Sequence, residues 1–70
     1  MMISMPEFVI VYDSSTGQTL ELEEYQDHDR GYARFRELRE KYSPRPKVQL
    51  NILVAEDRAQ VEAYVKKWFL

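Results

Sequence analysis

From Pro6 to Tyr12 the chain reads PEFVIVY, apolar at every position from Phe8 onward. A stretch that is apolar on both alternating faces suits a strand with neighbours on both sides. The DSSTGQ segment that follows has the residues of a tight turn, and Gly17 is the one able to take a left-handed backbone. In TLELEEY, Leu20 and Leu22 then alternate with Thr19, Glu21 and Glu23. That period of two predicts a half-buried strand, hairpin-paired to the first.

The period changes after Asp27. Asp27 or Asp29 can cap a helix starting near Arg30, its carboxylate accepting from a free first-turn N–H. Tyr32, Phe35, Leu38 and Tyr42 then fall within an arc of about 120°, an apolar face for a sheet. Gly31 is a poor interior helix residue but tolerable in a first turn. The segment SPRP, Ser43 to Pro46, stops the helix, because proline lacks the N–H and forces its predecessor out of helical space. KVQLNILVA alternates once more, Val48, Leu50, Ile52 and Val54 on one face and Gln49, Asn51 and Leu53 on the other. In EDRAQVEAYVKKWFL the acids come first and the lysines last, complementing a helix dipole. Val61, Tyr64, Val65 and Trp68 carry the spacing of a buried stripe.

The element order is therefore ββαβα, an α+β fold in one domain spanning residues 1–70. Met1 to Met5 are expected to be disordered, with Met5, just before Pro6 and Glu7, a second candidate start. The all-apolar first strand belongs in the middle, giving the spatial order 2-1-3. A right-handed crossover through the first helix is expected to bring the third strand parallel to the second, in a mixed three-stranded sheet. Both helices are expected on one face of that sheet, leaving the other face open.

The segment FVIVYDSSTGQTLELEEY, with the YARFRELREKY helix and the VQLNILVA strand, resembles a group of short bacterial proteins. They open with the form FVxVYDxxTGxLLELxEF and end in an aromatic-rich helix. The resemblance covers most of Phe8 to Phe69. It implies this fold and a bacterial or phage origin, and it carries over no catalytic residue.

Composition narrows the functional classes. Seventy residues lie near the lower limit for a self-sufficient core. The chain has no cysteine, which removes disulfides and thiolate metal sites and fits a reducing, cytoplasmic setting. The longest apolar runs, FVIVY and ILVA, are far short of the roughly 20 residues that span a bilayer. MMISMPE has neither the basic nor the apolar region of a secretory signal. No membrane role is expected.

Candidate chemistry is sparse. His28 is the only histidine, and its flanking Asp27 and Asp29 point in different directions, so it reads as a residue of a solvated loop. Ser14 to Gly17 lack the lysine and following helix of a phosphate-binding loop. Glu21, Glu23 and Glu24 have no further oxygens converging on them to cage a cation. No pair of acids shows the separate environments that acid–base catalysis needs. The expectation is a non-enzyme with no catalytic residue, metal, cofactor or small-molecule substrate.

Charge is segregated along the chain. Residues 1–27 carry six acids and no bases, residues 28–47 seven bases and three acids, and residues 48–70 three of each. Two binding readings follow. The first is a small protein-interaction or regulatory module, a homodimer or the binder of another protein. It would use the open sheet face at Val9, Val11 and Leu53, with Phe69 and Leu70 adding apolar surface, or else the edge of the third strand. That edge has no proline and one charge, Lys47, at its start. The alternative is a nucleic-acid-binding accessory protein using Arg30, Arg34 and Lys41 on one flank of the first helix, with Arg45 and Lys47 beyond it. Against it stand a sequence pI of about 5.3 and aromatic residues committed to the core.

Overall fold

The computed structural model describes residues 5–68. Its elements are β1 (Glu7–Asp13), β2 (Thr19–Tyr25), α1 (His28–Lys41), β3 (Val48–Val54) and α2 (Arg58–Trp68). The fold is α+β in the order ββαβα, and the sheet order is β2-β1-β3. β1 pairs antiparallel with both neighbours. β2 and β3 therefore run parallel to each other on either side of it. Every neighbouring pair is antiparallel, which corrects the expectation of a mixed sheet: a reversed strand between two parallel ones leaves no parallel contact.

Local chemistry accounts for the element ends. In the hairpin the Gly17 N–H donates to the Asp13 carbonyl at 2.7 Å, and Gly17 takes φ 78°, a conformation that a Cβ would strain. Asp27 is the N-cap of α1, its Oδ1 accepting from the Asp29 N–H at 2.9 Å. At the far end the Tyr42 N–H reaches the Leu38 carbonyl, and Ser43 to Pro46 turn the chain into β3. Asp57 caps α2 by accepting from the Gln60 N–H at 2.9 Å, while the Gln60 side chain accepts from the Glu56 N–H at 2.7 Å. This is a close variant of the reciprocal capping box.

The two helices lie on opposite faces of the sheet, not on one. Phe8 and Ile10 are fully buried with Ala55, Val61 and Val65, so α2 covers the even-numbered face of β1. Val9 and Val11 are equally buried with Leu38 and Val48, flanked by Phe35, Tyr42, Leu50 and Ile52, so α1 covers the odd-numbered face. The physical reason is the polarity of β1. A strand apolar on both sides has two faces to remove from water, and one layer of helices removes only one.

Three further differences concern side-chain direction. Leu20 and Leu22 do not share a face: the register slips by one residue between Val11 and Tyr12, leaving Leu20 as the extra residue of a bulge. Leu20 joins the α1 side and Leu22 the α2 side. Tyr32 is 46% exposed rather than part of the core, because α1 is rotated to centre Leu38 over the sheet. In α2, Val61 and Val65 are buried as their spacing predicts, whereas Trp68 is largely exposed and leans on Tyr12, ring centroids 5.7 Å apart.

Two separate clusters have an energetic consequence. Leu38→Ala is expected to destabilise the protein by about 3 kcal/mol, the cost of a deleted and imperfectly refilled core side chain. Val61→Ala deletes volume from the other cluster, so in urea unfolding the double variant should equal the sum of the singles within about 0.5 kcal/mol. A coupling well above that would contradict helices on opposite faces.

Candidate functional site

The densest polar arrangement lies where α1 crosses β2. Glu21 and Glu23 pair with Val11 and Val9 in the ladder and so point to the same side of the sheet as those valines, beneath α1. Arg34 answers both of them. Its Nε lies 3.0 and 3.2 Å from the two carboxylate oxygens of Glu23, and its guanidinium reaches Glu21 at 3.6 Å. Lys41, two turns further along the helix, donates to Glu21 Oε2 at 3.1 Å, and the Tyr42 hydroxyl donates to the same oxygen at 2.6 Å. The Tyr25 hydroxyl donates to Glu23. Two carboxylates, two cations and two phenols thus satisfy one another, all within a single chain.

The electrostatic effect follows from those bonds. The Tyr42 hydroxyl, and then Lys41 and Arg34, hold the Glu21 carboxyl below the usual glutamate range. Arg34, and then the Tyr25 hydroxyl, do the same for Glu23. Lys41 and Arg34 are raised in turn by their carboxylate partners. These groups are tied up in structure and offer no poised acid, base or nucleophile.

This arrangement bears directly on the nucleic-acid residues singled out above. Arg34 and Lys41 are neutralised by β2, and Arg45 sits 5.8 Å from the centre of the Tyr42 ring as a cation–π contact. Arg30 and Lys47 are exposed and make no ion pair among the described residues, and the Lys47 carbonyl accepts from the N–H and hydroxyl of Ser14. The five do not form one free basic stripe.

Elsewhere the chemistry is local. His28 is exposed, its Nδ1 2.6 Å from Glu7 Oε1 and its ring stacked on Tyr32 at 6.1 Å. Ser15 donates from both N–H and hydroxyl to Asp13 Oδ1, closing the hairpin loop and holding the Asp13 carboxyl low. Glu24 faces away from Glu21 and Glu23, since it pairs with Phe8 on the other side of the ladder. Among the described residues no three His, Cys, Asp or Glu side chains converge to hold a metal ion. No helix among them is long and apolar enough to cross a membrane.

The apolar patch expected from Val9, Val11 and Leu53 does not form. Val9 and Val11 are fully buried under α1, and Leu53, opposite Phe8, is half-buried on the α2 side. Phe69 and Leu70 lie outside the described residues. The third-strand edge remains. β3 runs in unbroken register against β1 from Val48 to Val54. Phe35 packs, partly buried, against the cluster of Val9, Val11, Leu38 and Val48. Tyr32 stacks on Phe35 at 6.3 Å, and Val54 at the end of β3 is 49% exposed.

Comparison with protein-family models, with curated proteins and with solved structures finds no match.

The paired glutamates predict an acid-sensitive fold. Their pKa values are depressed on folding, so their contribution is complete above the unfolded value of about 4.3 and is lost as pH falls through the folded values. Thermal unfolding should show stability declining from about pH 5 downward, and Glu23→Gln should flatten that decline. An unchanged slope in the variant would remove Glu23 from the acid response.

Proposed function

We propose that the protein is a small interaction module that self-associates by joining its β3 edge to the β3 of a second copy. The observation that carries this reading is the contrast between the two edges of the sheet. β2 is bent by the Leu20 bulge and carries exposed Glu24, both of which are devices that discourage strand addition, while its Glu21 and Glu23 are tied to α1. β3 is VQLNILV, with no charge, no proline and no bulge against β1. Two such strands meet without charge repulsion, and strand addition extends the ladder by main-chain hydrogen bonds. Val54, 49% exposed at the end of β3, supplies apolar surface at that edge. Each face is already covered by one of the protein's own helices, which favours an edge over a face. A bacterial or phage setting, and a cytoplasmic one, fit the hairpin's likeness to short bacterial proteins and the absence of cysteine.

Sedimentation of the full chain at micromolar concentration tests this. The wild type is expected at twice its 8.4 kDa mass, with Val54→Lys shifted toward the monomer while keeping its circular dichroism. A wild type that stays monomeric across the whole range would sink the proposal.

A further inference from the structure

The ladder shows which β3 groups point outward. In an antiparallel pair, residues turn their N–H and C=O alternately toward the neighbouring strand and away from it. The Val48 N–H donates to the Arg45 carbonyl in the preceding turn at 3.1 Å, away from β1. The Ile52 N–H likewise turns from β1 and donates to Oδ1 of Asn51 at 2.9 Å. By the same alternation Leu50 and Val54 present their backbone groups at the free edge. Of the four outward N–H groups of β3, the one at the start and one near the middle are thus already taken by acceptors within the chain.

The Asn51 contact is unusual for its position. Asn51 faces Ile10 across the ladder, on the α2 side of the sheet. A side chain there can point away from the sheet, yet this one folds back along its own strand to the next residue's amide. Asparagine does this because its short carbonyl offers the backbone a local partner in competition with strand pairing. A valine or threonine at 51 would favour the strand more strongly, but neither can place a carbonyl oxygen on that N–H.

We infer that Asn51 is an edge cap: its side-chain carbonyl occupies the Ile52 N–H that an added β3 strand would need, and so keeps self-association weak and reversible. This rests on the reading that the β3 edge is the contact surface. When a second strand docks, a carbonyl of that strand replaces Oδ1 and the Asn51 amide swings free. One internal hydrogen bond is exchanged for one between copies, so docking gains less than it would at a bare edge. Removing the cap leaves an unsatisfied donor in the monomer that only water or a second strand can serve. Both copies carry the cap, so the difference is that of two ordinary hydrogen bonds, about a thirtyfold change in the dimer dissociation constant.

The experiment compares wild type, Asn51→Ala and Asn51→Thr by sedimentation over a dilution series. Amide hydrogen exchange of Ile52 is read by NMR at the dilute end. Both variants are expected to dimerise about thirtyfold more tightly, and the Ile52 amide of the dilute monomer to exchange faster than in wild type. A dimeric wild type with unchanged affinity in both variants would overturn the cap and leave the edge contact standing. A monomeric wild type with dimeric variants would uphold the cap and overturn wild-type self-association. If all three proteins stay monomeric, both ideas fail. Unchanged Ile52 exchange in the dilute variants also overturns the cap, whatever the oligomeric state.

Discussion

The rest of the molecule is organised by a central strand with no side facing water. Phe8 and Ile10 need cover on one face of β1, Val9 and Val11 on the other, and a chain of this length has two helices to provide it. Each helix is spent on one face, giving two small clusters where a single layer of helices would have built one larger core. That division fixes what is left for partners. With both faces covered by the chain itself, what the sheet can still offer is main-chain groups at its rims, those of Leu50 and Val54 on β3 among them.

Arg34 ties α1 to β2 on the face that the helix covers. Ion pairs this close to solvent contribute little to stability individually, commonly under about 1 kcal/mol. Their geometric effect is larger. With Arg34 drawn over Glu21 and Glu23, Leu38 sits at the centre of the contact and Tyr32 turns outward. The same pairing explains how two glutamates can point to the covered side of a strand. They lie on an edge strand of the sheet, where the Arg34 guanidinium reaches both of them.

What was legible in the sequence was what neighbours in the chain decide. The Gly17 turn, the Asp27 cap, the proline stop and the alternation of β3 are short-range features, and each element follows from them. The central place of β1 was also readable, because continuous apolarity over five residues leaves a strand no wet side. The same apolarity carried the placement of the helices, since a strand apolar on both faces needs cover on both. The expectation of two helices on one face left Val9 and Val11 wet. The bulge at Leu20 escaped because TLELEEY alternates cleanly, and only pairing with β1 shows the slip. The pairing of Arg34 and Lys41 with Glu21 and Glu23 did leave a signal, in the acidic first third and basic middle of the chain. Reading those cations as surface for a foreign partner overlooked the nearest acidic partner, the preceding strand. The Asn51 contact left no sequence signal, because an asparagine on a half-exposed strand face is unremarkable until its amide is seen to turn back.

The unequal edges of the sheet also bear on how far any assembly can grow. A sheet with two receptive edges can add copies at both ends without limit, which is the route to fibres. Under the proposed edge contact, the β2 edge, bent at Leu20 and marked by exposed Glu24, would leave each chain a single receptive side. Joining two such sides would use up both, and the six-stranded sheet so formed would end in a bulged β2 at each margin. The hairpin that leads the chain would then act as a terminator, turning a β-rich surface prone to polymerisation into one that stops at two.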